Sequence, residues 1–247
     1  MNNKILRKIV GIAGYKLIDK QLHKNNKIIS ENTFLTSSNF IKKLISKNKI
    51  NKIIQIGAND GKRFDILHPF IKKYKINSLL VEPIKSNFYK LKKNYKNLNF
   101  VKLDNSAITI NKEILSLFKV DEKYFNKYGN HIPGITSFEI NHLKKHGVNK
   151  RHIVKEKITS ITIKDLLKKY KINNFDLLYT DTEGYDGKIV IDFLKNSSIR
   201  PIIILEYIHI NHDIFKTLIK KLQNNNYAFF SINENLICLP KKIMKIF

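Results

Sequence analysis

The 247-residue sequence predicts an α/β fold: a single doubly wound domain whose mostly parallel sheet is closed by a C-terminal antiparallel hairpin. Three observations carry that reading. Short apolar runs recur at Ile53–Ile56, Leu79–Val81, Leu98–Leu103, Phe175–Tyr179 and Ile202–Leu205, each ending in polar or glycine residues. Helix-like patterns separate them. The chain then closes on Tyr227–Ile232 and Leu236–Leu239 about Asn233-Glu234-Asn235, two strand-like runs joined by turn residues.

Ahead of the first strand stands a basic preface, residues 1–36. Within its first 30 residues Ile5, Ile9, Ile12, Ala13 and Leu17 share one helical face, with Lys4, Arg7, Lys8, Lys16 and Lys20 around the rest. Such a helix can lie on an anionic membrane or dock on its own domain. Ser37 and Ser38 offer an N-cap for the helical pattern Phe40–Ile45 that follows.

The first strand runs into the turn of I-I-Q-I-G-A-N-D-G, Ile53–Gly61. Gly57 and Gly61 let the backbone bend and approach a ligand, and Ala58, Asn59 and Asp60 lie between them. A helix-like stretch through Ile66, Phe70 and Ile71 leads to the second strand, capped by Glu82 and Pro83. An acid roughly 20 residues beyond the turn is where a βαβ unit meets ribose hydroxyls, and a carboxylate accepts both hydrogen bonds of a diol. The loop is G-x-x-x-G, neither the G-x-G-x-x-G of dinucleotide sites nor a phosphate-cradling G-x-x-x-x-G-K-[ST]. A ribose site without a phosphate site points to S-adenosylmethionine.

Ser86 can cap a helix carrying Phe88, Leu91 and Tyr95 before the third strand, which ends in the turn residues Asp104, Asn105 and Ser106. Ala107–Ile110 and Ile114–Phe118 read as a hairpin. The long polar segment Asp121–Glu156, with Pro133-Gly134 as a turn signal, reads as an inserted cover over the acceptor side. Ser137 caps the helix expected to contain Phe138 and Leu143. Glu139, His142 and His146 have helical metal-ligand spacing, but no third convincing ligand accompanies a pair of them, so no residue is assigned to a metal.

Asp181, Glu183 and Asp186 emerge at the end of the fourth strand, and Glu206, Tyr207, His209 and His212 follow the fifth. Open α/β sheets hold their ligands at these strand ends. Thr180-Asp181-Thr182-Glu183 also fits a capping box, with Asp186 favoured by the helix dipole.

In this order, I-G-A-N-D-G (Ile56–Gly61), V-E-P (Val81–Pro83), S-A-I (Ser106–Ile108), I-T-S-F (Ile135–Phe138), I-T-I-K-D-L-L (Ile161–Leu167) and D-L-L-Y-T-D-T-E-G-Y-D (Asp176–Asp186) resemble the FkbM-type S-adenosylmethionine-dependent methyltransferases, from about Phe40 to the chain end. The resemblance implies a Rossmann-like methyltransferase domain over residues 37–247 and methyl transfer to a hydroxyl of a sugar, glycoconjugate or related small molecule. It implies a cofactor site of Gly57, Ala58, Asn59, Asp60, Gly61, Glu82 and Pro83. Asp104, Ser106 and Ala107 then stand at the adenine. Methyl transfer from a sulfonium needs an aligned acceptor oxygen and a base for its proton. Asp181, Glu183 and His209 are the candidate catalytic groups, and the clustered acids could also hold Mg2+ through oxygen.

The rest of the composition narrows the alternatives. One cysteine, Cys238, excludes a disulfide framework. No apolar run reaches the ~18 residues of a membrane span, and no secretory signal opens the chain, so a cytoplasmic protein is expected, with peripheral contact at the inner membrane face one of the two uses open to the preface. The net charge of +26 comes from 46 Lys and Arg against 20 Asp and Glu, almost all of it lysine. Excess lysine, isoleucine and asparagine together read as coding bias more than as a nucleic-acid surface. An RNA methyltransferase is the first rival, yet T-E-G-Y stands where an adenine-directed P-P-[YFW] would follow the fourth strand. A non-catalytic module recruited to membranes is the second.

Overall fold

The structure, a computed structural model, describes residues 36–47, 49–63, 65–129 and 135–244. The amphipathic face over residues 5–17 and the Pro133-Gly134 turn lie outside the described residues. In chain order the first elements are α1 (Ser37–Ser46), β1 (Lys52–Ile56), α2 (His68–Tyr74), β2 (Asn77–Val81), α3 (Lys85–Asn94), β3 (Val101–Asp104), β4 (Ala107–Ile108), β5 (Ile114–Val120), β6 (Thr136–Ser137) and α4 (Ile140–Lys145). They are followed by β7 (Ile153–Ile161), α5 (Ile163–Lys169), β8 (Leu177–Thr180), α6 (Asp186–Asn196), β9 (Ile202–Glu206), α7 (His212–Asn224), β10 (Tyr227–Ile232), β11 (Asn235–Pro240) and α8 (Lys241–Met244).

The main sheet has seven strands in the order β10-β11-β9-β8-β1-β2-β3. Pairing is parallel from β9 through β3, and β11 and β10 close the edge antiparallel. Both faces of the parallel strands are covered, which is why they read as unbroken apolar runs. Ile53, Leu80, Leu177 and Ile204 pack with Ile41 and Leu44 of α1, Ile71 of α2 and Leu91 of α3. Ile54, Leu79, Leu178 and Ile203, one residue along each strand, pack with Leu166 of α5, Phe193 of α6 and Leu218 and Leu222 of α7. Each fully buried Leu or Ile contributes ~1.5–3 kcal/mol.

A smaller four-stranded sheet, in the order β4-β7-β5-β6, stands beside it. Its strands bury Leu117 and Ile158 against Ile84 and Ala107, and Val120 and Ile135 against Leu143 and Val148. The segment expected as an acceptor-side cover, Asp121–Glu156, contributes β6 and the start of β7 to this sheet and carries α4 between them. The expected 107–118 hairpin does not form. Ala107–Ile108 pairs parallel with Ser160–Ile161, whereas β5 pairs antiparallel with β7 along its whole length. A nine-residue β7 offers both strands a longer partner than they offer each other.

Three local expectations are corrected as well. Thr36, not Ser37 or Ser38, caps α1, its hydroxyl accepting from Asn39 N at 3.0 Å. Ser86 lies inside α3, whose N-cap Ile84 makes no side-chain cap. Ile66 precedes α2 instead of belonging to it, because the helix starts at His68 with Pro69 in its first turn.

Candidate active site

The ends of β1, β2 and β8 are stitched together by backbone hydrogen bonds. Gly57 N and Ala58 N both donate to Val81 O at 3.0 Å, and Asp181 N donates to Ile56 O at 3.0 Å. The strand order reverses here: β1 leads outward through β2 to β3, while β8 and β9 lie on its other side. Such a switch point leaves a crevice at the strand ends. Gly57 sits at φ +84°, and a β-carbon there would stand 1.8 Å from Asp181 O, so no other residue fits. Asn59 also takes a left-handed φ, +50°, and is held by its own N–H donating to Glu82 Oε2 at 2.9 Å. Ile84 N donates to Glu82 Oε1 at 2.9 Å. Beyond these backbone bonds and the Asn87 side chain beside it, the carboxylate has lone-pair capacity left for a ligand hydroxyl. Burial drives the Glu82 carboxyl up to about 7 against those two bonds, which favour its charged form.

Two members of the predicted loop serve the fold instead. Asp60 Oδ1 accepts from Lys62 N at 2.9 Å and Arg63 N at 2.8 Å, an Asx-type turn, and its side chain does not line the cavity. Gly61 is needed for packing: a β-carbon there would fall 2.3 Å from Leu91 Cδ1 and 2.7 Å from the Tyr95 ring. Asp104, expected at the adenine, is also withdrawn. It is buried beneath α5, bonded by Ser106 Oγ, by Lys169 Nζ at 2.6 Å and by Tyr170 Oη at 2.9 Å. A carboxylate so occupied anchors a helix to β3, while Ser106 and Ala107 do face the cavity. Ser137 does not cap α4, whose N-cap is Glu139, and Phe138 lies ahead of that helix. The Ser137 hydroxyl accepts from Glu139 N at 3.1 Å, one residue ahead of α4, and its neighbours Thr136 and Phe138 line the cavity.

The capping box after β8 is not made. Glu183 and Gly184 adopt φ +55° and +103°, adding a turn, and α6 begins only at Asp186. Asp186 does more than favour a dipole. Fully buried, it accepts from Thr182 N at 3.2 Å and Gly184 N at 3.4 Å, and so folds the turn that carries Asp181 and Glu183. Glu183 Oε2 lies 3.1 Å from His142 Nε2 and 3.8 Å from His209 Nε2. Burial, with His142 and His146 beside it, lowers the pKa of His209 despite Glu183. A neutral imidazole results.

These groups surround one cavity of about 550 Å³, within the roughly 300–1,000 Å³ of small-molecule sites. Gly57, Ala58, Asn59, Glu82, Pro83, Ser106, Ala107, Asp181, Glu183 and His209 all line it. Gln55, Asp65 and Glu234 line it too and were missed; Gln55, a polar residue inside an apolar strand, was the one legible sign. Six carboxyl groups face this space: Asp65, Glu82, Asp181, Glu183, Glu206 and Glu234. Burial pushes Asp65 up to about 6; burial with Asp186 and Glu183 nearby pushes Asp181 up to about 8; burial with Asp181 and Glu183 pushes Glu206 up to about 9. Gln55 Oε1, Asp65 Oδ2 and Glu206 Oε2 are buried acceptors with no hydrogen-bond partner among the described residues. Crowded acids and idle acceptors suit a cationic ligand with hydrogen-bond donors, which is what the sulfonium, amine and hydroxyls of S-adenosylmethionine present.

Fold and site together place the chain among the Rossmann-like methyltransferases. The family profile of the methyltransferase FkbM domain matches residues 55–229, and the chain belongs to that family. No curated protein matches the sequence. Among solved structures it is similar to a methyltransferase FkbM from Methylobacillus flagellatus KT, at 13% identity and TM-score 0.47, over 77% of this chain and 44% of that one. It is also similar to the Methanococcus jannaschii fibrillarin pre-rRNA processing protein, at 12% identity and TM-score 0.39, over 77% of this chain and 65% of that one. The N-terminal domain of human METTL16 in complex with SAH is similar at 14% identity and TM-score 0.40, over 81% of this chain and 66% of that one. The chain therefore spans less than half of the first of these structures. Among the described residues no helix is long and apolar enough to cross a membrane.

Proposed function

We propose that this chain binds S-adenosylmethionine and transfers its methyl group to a hydroxyl of a sugar, glycoconjugate or related small molecule. The observation that carries the reading is one acid-lined cavity, bounded by the Gly57–Asn59 loop and Glu82 on one side and by Asp181, Glu183 and His209 on the other. When bound, S-adenosylmethionine supplies a methyl group on a sulfonium, whose C–S bond breaks with the electron pair left on sulfur as the C–O bond forms.

The chain supplies the rest. Glu82 is placed to take the ribose diol, with Ser106 and Ala107 on the wall beside it. Asp181 stands at the end of β8 as the proton acceptor for the acceptor hydroxyl, with Glu183 and His209 orienting that hydroxyl. In the empty cavity Asp181 carries a proton at neutral pH; a cation beside it releases the proton and frees the carboxylate to act as a base. Mg2+ finds less support than a proton acceptor here, because Glu183 is already engaged by His142 and His209.

Asp181→Asn tests the assignment. S-adenosylhomocysteine is expected to bind it within a few-fold of the parent, while the methylation rate falls about 10²–10⁴-fold. The acceptor class is read by incubating the chain and S-adenosylmethionine with cell-surface glycans and sequencing any product that gains one methyl group by mass spectrometry. Methyl groups found on RNA bases instead would refute O-methyl transfer to a glycan.

A further inference from the structure

The acceptor side of the cavity holds a cluster that the methyl-transfer reading leaves partly unused. His142 and His146 project one turn apart from α4 and its C-cap, and His209 comes from the loop after β9. The three rings lie against one another, with centroids 4.8, 4.9 and 5.5 Å apart. One nitrogen from each falls within 4.8 Å of the others. Three imidazoles this close cannot all be protonated without mutual repulsion. An imidazole nitrogen without a proton carries one lone pair, so each ring can offer one ligand nitrogen to an ion held among them.

We propose that His142, His146 and His209 bind one divalent transition-metal ion of the zinc class. Imidazole selects such ions over Mg2+, which prefers oxygen. Three histidine ligands leave a fourth position open, as zinc sites that act on substrates do. His146 and His209 line the cavity, so that position faces it. Glu183 supplies the outer support: its Oε2 lies 3.1 Å from His142 Nε2, placed to accept an imidazole N–H and fix the ring's orientation. The ion would take up the orienting role given above to His209. An acceptor hydroxyl placed at the open position becomes more acidic and passes its proton to Asp181. This catalytic role rests on the methyltransferase reading; the binding of the ion does not. The site also joins two parts of the fold, since α4 lies between β6 and β7 of the small sheet and His209 follows β9 of the main one.

The test uses the full chain without a histidine tag, stripped by chelator and dialysed. Calorimetric titration with zinc chloride is expected to show one ion per chain at submicromolar Kd, and Co2+ to give the visible absorption of a four-coordinate centre. His142→Ala and His146→Ala should each weaken zinc binding at least 100-fold, with Mg2+ giving no heat in the parent. S-adenosylhomocysteine binding is measured on the same samples. Zinc bound while that ligand fails to bind removes methyl transfer and leaves the metal site standing. Zinc binding weaker than 10 µM, or unchanged in the double variant His142→Ala/His146→Ala, overturns the proposal.

Discussion

Lowering the pH from 7 to 5 is expected to weaken S-adenosylhomocysteine binding roughly 40-fold through Glu82. In the free chain burial raises this carboxyl from 4.5 to about 7. It is therefore about half charged at pH 7 and charged in about one molecule per hundred at pH 5. A ribose diol donating to both oxygens favours the carboxylate, returns the pKa toward its usual range and expels a proton. The ratio of charged fractions, about 50, is eased to roughly 40 because the bound carboxyl itself begins to protonate near pH 5. Affinity thus climbs with pH up to about 7 and is flat above it. Calorimetry in pairs of buffers with different ionisation heats measures both the affinity and the protons released. Asp65, pushed up to about 6, adds a second slope below that pH. Glu82→Gln binds weakly, since its amide must face either the Asn59 or the Ile84 N–H, and most of its pH dependence above pH 6 disappears. A Glu82→Gln chain that kept the parent's slope, or a parent that released no proton at pH 6, would refute the ribose assignment. The sign for stability is opposite. A folded pKa above the unfolded one costs stability as pH rises from 4.5 to about 7, by ~3 kcal/mol for this shift, so the ligand-free chain melts lower at pH 8 than at pH 5.

Further perturbations separate the residues that hold the fold from those that face the ligand. Gly61→Ala forces a β-carbon against Leu91 and Tyr95 and should destabilise the chain by about 1–3 kcal/mol in thermal melts, with ligand Kd unchanged at 10 °C; a tenfold weaker Kd at constant stability would return Gly61 to the site. Asp104→Ala unties Lys169 and Tyr170 from β3 and is expected to cost ~1–3 kcal/mol in urea unfolding, again without a specific loss of ligand affinity. Asp186→Ala strips the Thr182 and Gly184 N–H groups of their acceptor, and methylation should fall more steeply than ligand binding because the turn bearing Asp181 loses its anchor. Equal losses in both measurements would contradict that assignment.

The pattern of what was legible follows from range along the chain. Ile53–Ile56 and the glycine turn announce themselves because strand, bend and ligand approach are decided within nine residues. Glu82 is readable from a fixed crossover length. The sites that were misread depend on partners far away. Nothing near Asp104 reveals that Lys169 and Tyr170, 65 and 66 residues later, will consume its oxygens. The 107–118 hairpin looked local, yet each strand preferred β7. The apparent capping box failed because two residues with positive φ inserted a turn that an S/T-x-x-E pattern cannot show. His142 and His146 were read as a ligand pair lacking a third, and His209 comes beside them only by folding.

Charge teaches the same lesson more sharply. A sum of +26 points toward anionic partners, yet six of the 20 acidic residues are gathered around one cavity. The two fields act at different ranges. Exposed lysines are screened by salt beyond ~8–10 Å, whereas carboxyls lining a concave, water-poor space act on a ligand at contact with little screening. Raised pKa values at Asp65, Glu82, Asp181 and Glu206 are the mark of that second field, and Asp181 and Glu206, pushed up to about 8 and about 9, stay largely protonated at neutral pH until a cation arrives. A sulfonium entering there is stabilised by groups that the rest of the protein has kept from bulk water. Net charge therefore speaks to the outer surface, and the chemistry of the site runs on the opposite sign.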